Sequence, residues 1–242
     1  MIFTDSHAHL YDLQFDEDRD EMIQRAINGG VERIFLPNIE EETIEPMMKL
    51  VERYPEHCFP MMGLHPCAVG KNFEQVLDKL ETLTLAGEFV AIGEIGIDLY
   101  WDKTYVEEQK IAFIRQVNLA KKTGLPIVIH ARDSFDELFE CLDDLNDDTL
   151  SGVFHCFTGT LEQARRIINY GNFMVGIGGV LTFKNSGLAE VVKYIDLKYI
   201  LLETDAPYLA PVPFRGKRNE SSYLRNTAEE LARILDCPLE EL

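Results

Sequence analysis

Eight short β-branched or otherwise apolar runs, each followed by a longer segment with apolar residues three and four apart, leave this chain few folds to adopt. The strand-like runs lie at Ile2–Thr4, Arg33–Leu36, Cys58–Gly63, Val90–Ile95, Pro126–Ile129, Gly152–Phe154, Phe173–Ile177 and Tyr199–Leu202. Helical spacing covers Asp16–Asn28, Glu40–Arg53, Phe73–Leu85, Thr104–Thr123, Ser134–Leu145, Thr160–Tyr170, Ser186–Tyr194 and Ser221–Leu235. Gly29-Gly30, Gly124-Leu125-Pro126 and Gly171 mark helix stops. Strict alternation predicts a parallel sheet covered by helices. A (β/α)8 TIM-type barrel takes about 250 residues, so eight such units in 242 residues favour that barrel over an open doubly wound sheet. No linker, repeat or low-complexity stretch intervenes, and residues 1–242 are expected to form one α/β domain. Pro238 looks like the first turn of a further helix that stops as it begins, so a shortened C-terminal helix is expected.

Composition narrows the class further. Hydrophobic residues make up 46% and charged residues 27%, which excludes disorder, collagen-like fibre and coiled coil. With 23 Lys and Arg against 42 Asp and Glu, the net charge is 23 − 42 = −19. Such a chain repels polyanions at long range, which excludes a passive nucleic-acid coat but not an enzyme with a local cationic or metal site. Five cysteines (Cys58, Cys67, Cys141, Cys156, Cys237) with no C-x-x-C pair read as buried, reduced thiols. The start, MIFTDSHAHL, lacks a basic and apolar leader, and the longest uncharged stretch, Phe173 to Phe183, is eleven residues with three glycines. A cytoplasmic protein without a membrane partner is expected.

In a barrel of this kind functional groups sit where strands finish. The first run is followed by Asp5-Ser6-His7-Ala8-His9, the third by Gly63-Leu64-His65-Pro66 and the fourth by Gly93-Glu94-Ile95-Gly96-Ile97-Asp98. The fifth is followed by His130-Ala131-Arg132, the sixth by His155-Cys156 and the eighth by Glu203-Thr204-Asp205. Five of the six histidines thus fall at expected strand ends; His57 is the exception. Residues two apart on an extended strand face one side, so His7 and His9 can meet one ion. Imidazole and carboxylate donors suit Zn²⁺, Mn²⁺ or another divalent ion such as Mg²⁺, and the full set exceeds one tetrahedral ion. It suits a pair of ions sharing a carboxylate.

The set D-S-H-A-H-L, G-L-H-P, A-I-G-E-I-G-I-D, I-H-A-R, V-F-H-C-F-T-G, L-L-E-T-D-A-P-Y-L-A-P and R-G-K-R-N-E, spread from residue 2 to about residue 226, resembles the TatD family of metal-dependent hydrolases in the amidohydrolase superfamily. That resemblance implies a distorted (β/α)8 barrel, two divalent metal ions, and phosphodiester hydrolysis on DNA, often from the 3′ end of single strands. Carried over, it implies that His7 and His9 bind the first ion, that Glu94 bridges, and that His130 and His155 complete the second. Asp205 would touch the first ion and act as base for the hydroxide attacking phosphorus, and His65 would contact the substrate phosphate or leaving group. Ser221 stands where the family usually has Pro, implying a less rigid loop, and the family's further C-terminal helix is nearly absent.

Other residues admit two readings. Gly176-Ile177-Gly178-Gly179 lacks a phosphate fingerprint and reads as close backbone packing. Arg132 meets either a phosphate or a nearby acid. Arg215, Lys217, Arg218 and Arg225 form either a solvated loop or a nucleic-acid contact, with Arg215 and Arg218 the expected substrate-binding pair. Tyr100, Trp101 and Tyr105 either stack on a base or pack their loop. Single-stranded DNA is the expected partner, RNA a variant of it, and the protein is expected to be a monomer needing no protein partner. The rivals are a hydrolase of an amide, a lactone or an aminoacyl-tRNA ester, and a metal-binding docking protein without turnover.

Overall fold

The periodic segments condense into alternating strands and helices throughout residues 1–242, all described in the computed structural model. The order is β1 (Phe3–Asp5), α1 (Arg19–Asn28), β2 (Val31–Pro37), α2 (Glu41–Arg53), β3 (Cys58–Met61), α3 (Phe73–Ala86), β4 (Ile92–Asp98) and α4 (Val106–Thr123). It continues with β5 (Ile127–Arg132), α5 (Phe135–Leu145), β6 (Gly152–Phe154), α6 (Leu161–Asn169), β7 (Phe173–Ile177), α7 (Leu188–Val192), β8 (Ile200–Leu202) and α8 (Leu224–Leu235). Local chemistry sets the ends: Thr160 and Gln163 form a capping box at the start of α6, and left-handed Gly124 ends α4.

Every strand pairing is parallel, in the orders β1-β2-β3 and β4-β5-β6-β7-β8. Two seams of backbone bonds join these groups into the expected barrel. At one, Met62 N donates to Ala91 O (3.1 Å) and Gly93 N to Met62 O (3.0 Å). At the other, Ser6 N donates to Leu202 O (3.1 Å), Asp205 N to His7 O (2.9 Å) and His9 N to Ala206 O (2.7 Å).

The strands alternate between two cores. Ile127, Ile129, Phe154, Val175 and Ile177 face the helices, where Phe113, Leu138 and Ile167 lie in the same cluster. On the opposite faces Met61, Val128 and Val153 pack with Phe35, Met174 and Leu201 inside the barrel. Two residues beyond Val128, Val153 and Leu201, on those inward faces, stand His130, His155 and Glu203. The apolar plug therefore gives way to a polar mouth by simple alternation.

Strand β4 departs from that rule. Ala91 joins the inner cluster, but Ile92, Ile95 and Ile97 all join the outer one, so the parity changes between Ile92 and Ile95. The β4–β5 register shifts at that place, and the irregularity turns Glu94, Gly96 and Asp98 inward. Gly96 has φ +150°, and a Cβ there would overlap the His130 carbonyl oxygen. The strands also run further than their apolar stretches: β4 reaches Asp98 and β5 reaches Arg132, so Glu94 and His130 lie within strands and not after them. The ladder carries on through Gly96 and His130 because pairing does not require apolar side chains.

Several expectations are corrected or filled in. All five cysteines are free, but only Cys58 is buried, and Cys67 is exposed in the turn at the mouth. Pro238 precedes one 3-10 turn, Leu239–Glu241, whose Leu239 rests on the core with Leu242. The loop around Ser221 is tied down without a proline: Asn219 Nδ2 donates to Thr204 O and Tyr208 O, both at 2.7 Å, and Glu220 pairs with Arg25 at 2.7 Å. No helix is long and apolar enough to cross a membrane.

The β8–β1 seam depends on Asp5, a fully buried carboxylate. It accepts from Thr204 N at 2.9 Å and Thr204 Oγ1 at 2.6 Å, and burial pushes its carboxyl up to about 7. Asp5→Ala leaves two buried donors unpaired, an expected cost of about 1–3 kcal/mol each way the seam relaxes. At about 2–4 °C per kcal/mol for this size, thermal melts should show Tm lowered by several degrees, and less for Asp5→Asn. An unchanged Tm for the alanine variant would refute this role.

Candidate metal centre

Glu94 lies at the middle of the mouth, almost wholly buried, with five imidazoles around it. Its Oε2 faces His7 Nε2 at 3.1 Å and His9 Nε2 at 3.7 Å. Its Oε1 faces His155 Nε2 at 2.7 Å, His130 Nδ1 at 3.0 Å and His65 Nε2 at 3.3 Å. Asp205 Oδ1 closes the first group, 3.4 Å from His9 Nε2 and 3.9 Å from His7 Nε2. The two carboxylate oxygens of Glu94 thus serve two separate sets of nitrogen donors.

Neighbouring bonds fix where the imidazole hydrogens are. Tyr11 Oη donates to Pro37 O, so its oxygen accepts from His9 Nδ1–H at 3.1 Å and leaves the Nε2 lone pair of His9 facing the centre. Asp98 Oδ2 accepts from His130 Nε2–H at 2.9 Å, leaving the Nδ1 lone pair of His130 inward. The lone pairs of His9 and His130 therefore converge with the oxygens of Glu94 and Asp205, an arrangement that favours a cation. Tetrahedral ligands at about 2.1 Å from an ion lie about 3.4 Å apart. The donor separations, 3.3 Å between His7 and His9 Nε2 and 3.5 Å between His155 Nε2 and His130 Nδ1, match that spacing.

His65 differs from the other four. Its Nδ1 accepts from Cys67 N at 3.1 Å, so a neutral ring carries its hydrogen on Nε2 and presents a donor to the mouth. Burial holds His65 below its usual value, which keeps the ring neutral. It is a hydrogen-bond donor, 3.3 Å from Glu94 Oε1, whereas His9 and His130 are acceptors.

The carboxylates stay ionised despite burial. Burial opposes charge on Glu94, but His155, His65 and His7 hold its carboxyl well below the usual range. For Asp205 burial is likewise outweighed, by the neighbouring His9, His155 and His7 rings. His7 is driven down first by burial and then by His155. For His155 burial is overcome by Glu94 and Glu203, which raise it well above its usual value.

Glu203 and Asp205 diverge, although two residues apart. Asp205 has φ +57°, so the chain no longer follows a strand there. Glu203 turns to accept from Cys156 N at 2.5 Å and lies 3.7 Å from His155 Nδ1. A Cβ on Gly176 would overlap the Glu203 carboxylate, and one on Gly179 would overlap the Leu209 carbonyl, so the glycine run serves close packing. Asp98 and Tyr11, which orient His130 and His9, were not singled out from sequence. Their signal was parity: Asp98 follows Glu94 by four residues, and Tyr11 follows His9 by two.

The cationic residues separate into two kinds. Arg132 forms no ion pair and lies over the Tyr100 ring at 4.0 Å. Arg215 likewise has no acid partner and lies over Phe183 at 4.3 Å. Arg218, expected at the substrate, instead holds Asp18 through two bonds of 2.7 and 2.8 Å and covers Phe15. Arg225 pairs with Glu229 at 2.8 Å on α8. Tyr105 packs against the cluster of Met62, Leu64 and Phe73, whereas Tyr100 and Trp101 are exposed.

A parallel (β/α)8 barrel with imidazoles and carboxylates gathered at its C-terminal mouth defines the class, a metal-dependent hydrolase. The family model described as TatD related DNase matches residues 4–242, and the chain belongs to that family. It is 40% identical over 243 residues to the uncharacterized metal-dependent hydrolase YabD of Bacillus subtilis, covering 100% of this chain and 94% of that one. It is 33% identical over 234 residues to the 3′-5′ ssDNA/RNA exonuclease TatD of Salmonella typhimurium, covering 94% and 89% of the two chains. The crystal structure of YjjV, a TatD homolog from Escherichia coli, superposes with a TM-score of 0.92 at 31% identity, covering 99% of this chain and 92% of that one.

The contrast between the two arginines is measurable. Arg218→Ala removes a two-bond ion pair and a stacking contact and should cost about 1 kcal/mol in denaturant unfolding. Arg215→Ala should stay within about 0.5 kcal/mol of the unaltered protein. Equal losses would show that Arg215 is a structural residue too.

Proposed function

We propose that this chain is a two-metal phosphodiesterase acting on single-stranded nucleic acid, DNA foremost, from the 3′ end. The observation that carries this reading is the division of Glu94, with Oε2 towards His7, His9 and Asp205 and Oε1 towards His130 and His155. In this reading those residues would hold two ions, with Glu94 facing both sets of donors, and residues 1–242 would act as one catalytic domain. Divalent ions there (Zn²⁺, Mg²⁺ or Mn²⁺) supply positive charge for the phosphoryl oxygens and lower the pKa of water from about 15.7 to about 7.

The chain's own residues perform the remaining work. Asp205, ionised despite burial, takes the proton of the attacking water at its carboxylate. His65 donates from Nε2 to a phosphoryl or leaving oxygen. Glu203, behind His155, steadies that ring and is not itself at the reacting atoms. Arg132 and Arg215, both without acid partners, are free to meet phosphates, and this favours a phosphodiester over an amide, a lactone or an aminoacyl ester. The relative named as a 3′-5′ ssDNA/RNA exonuclease supports the same substrate and polarity.

The test uses single strands labelled at the 3′ or 5′ end, with amide and ester substrates alongside. Stepwise loss of the 3′ label is expected; hydrolysis of an amide or ester alone would overturn the reading. Elemental analysis at saturation should find two ions per chain, falling to one in His155→Ala. A single ion in the unaltered protein would dispose of the shared carboxylate.

Asp205→Asn should lower kcat by about 10²–10⁴-fold while the fold and most of the metal remain. Glu203→Gln should be milder. If Asp205→Asn kept more than a tenth of the activity, another base would have to be found.

A further inference from the structure

An exposed tryptophan alone means little on a soluble protein. Trp101 is 68% exposed, the only tryptophan in the chain, and it is held in place by the metal centre itself. Asp98 Oδ1 accepts from Tyr100 N at 2.9 Å and Trp101 N at 3.1 Å, while Oδ2 of the same carboxylate takes the His130 ring at 2.9 Å. One buried side chain thus fixes both an inward-facing imidazole and the loop that carries the aromatic pair.

The pair is built, and not merely exposed. Tyr100 meets Trp101 edge to face, with centroids 4.9 Å apart and planes at 88°. The face of Tyr100 is taken by the Arg132 guanidinium at 4.0 Å, which also lies 5.2 Å from the Trp101 ring. Arg132 follows His130 by two residues on β5, so both point to the same side of the strand, about 6.6 Å apart along it. Tyr100 is therefore a buttress that aims the guanidinium, and the free ring is that of Trp101.

We propose that Trp101 is the stacking platform for a nucleobase next to the scissile phosphate, with Arg132, braced by Tyr100, on the adjoining phosphate. The inference rests on the nucleic-acid reading above and adds to it the group that recognises a base, not only a backbone. Stacking on an aromatic ring is largely indifferent to base identity, so the platform predicts preference for base-bearing strands with little sequence preference.

Because Trp101 is the sole tryptophan, its fluorescence reports on this loop alone. The metal-loaded Asp205→Asn protein is titrated with a labelled oligothymidylate and with an abasic strand of equal length, following both tryptophan emission and anisotropy of the label. Saturable quenching by oligothymidylate, absent or much weaker with the abasic strand, is expected. In that background Trp101→Ala should weaken oligothymidylate binding by about 5–150-fold and remove most of the discrimination against the abasic strand, whereas Trp101→Phe should retain it. Binding seen by anisotropy with no change in emission, or equal weakening of both strands by Trp101→Ala, overturns the platform and leaves the nuclease reading standing. Failure of both strands to bind the metal-loaded Asp205→Asn protein overturns the nuclease reading first, and the platform with it.

Discussion

A buried carboxylate ringed by imidazole nitrogens is the constraint on which the rest of this structure depends. Five histidines place a ring nitrogen within 3.7 Å of a Glu94 oxygen. Two of those nitrogens, on His9 and His130, are acceptors because of what their rings bond to on the far side. Acceptors facing acceptors in a dry site repel one another unless a cation lies between them. The fold has to hold them together against that repulsion, and its local oddities occur where it does so. The register shift in β4 turns Glu94 inward. The β8–β1 seam brings Asp205 to His9, and the left-handed backbone of Asp205 sends it away from Glu203.

The barrel separates stability from chemistry along its axis. Below the mouth, Val128, Val153, Met174 and Leu201 fill the interior as any packed barrel would. One alternation further up, the same faces carry His130, His155 and Glu203. Packing beneath fixes the height and direction of the donors that continue these faces, while His7, His9 and Asp205 follow β1 and β8 and are held by the bonds of the seam. The partners behind two of the donors, Tyr11 and Asp98, set ring orientation and hydrogen placement, a division commonly decisive for metal sites. His65 shows the same logic with the opposite result, since a bond from Cys67 N at its other nitrogen makes it a donor.

Much of this was legible in the sequence, because it rests on periodicity. Alternating runs pointed to the eight units and their order, and the polar residues closing those runs included Glu94, Asp205 and all five histidines now gathered around them. What escaped was whatever depends on a break in period or on contacts distant in sequence. A uniform β4 would send Glu94 to the same side as Ile92, and nothing in G-E-I-G-I-D announces the shift, though Gly96 hints at a close approach. Arg218 looked like its neighbour Arg215, and only the fold brings Asp18, two hundred residues earlier, beneath its guanidinium. Tyr105 and Trp101 sit four residues apart in one aromatic loop, yet one is covered by Met62 and Phe73 and the other is left in solvent.

In the proposed nuclease reading, the excess of acid is reconciled with a polyanionic substrate by distance. Charges on the protein surface are screened beyond about 8 Å at physiological ionic strength, so a strand at the mouth responds to local groups and hardly to the total of −19. Many of the acids are neutralised where they stand, as in the pairs Glu45 with Lys49 and Asp143 with Arg166 on the outer helices and Asp147, just after α5, with Lys121. Arg132 and Arg215 are left without such partners, each resting on an aromatic ring beside the βα loops. An aromatic face holds a guanidinium in position without neutralising it, so both arginines keep their full charge, as the proposed phosphate contacts require. Asp98 then does for the rim what Glu94 does for the centre: a single carboxylate, gripping His130 on one oxygen and the Tyr100–Trp101 loop on the other, sets the distance between the centre and the aromatic rim that the proposed reading assigns to the strand.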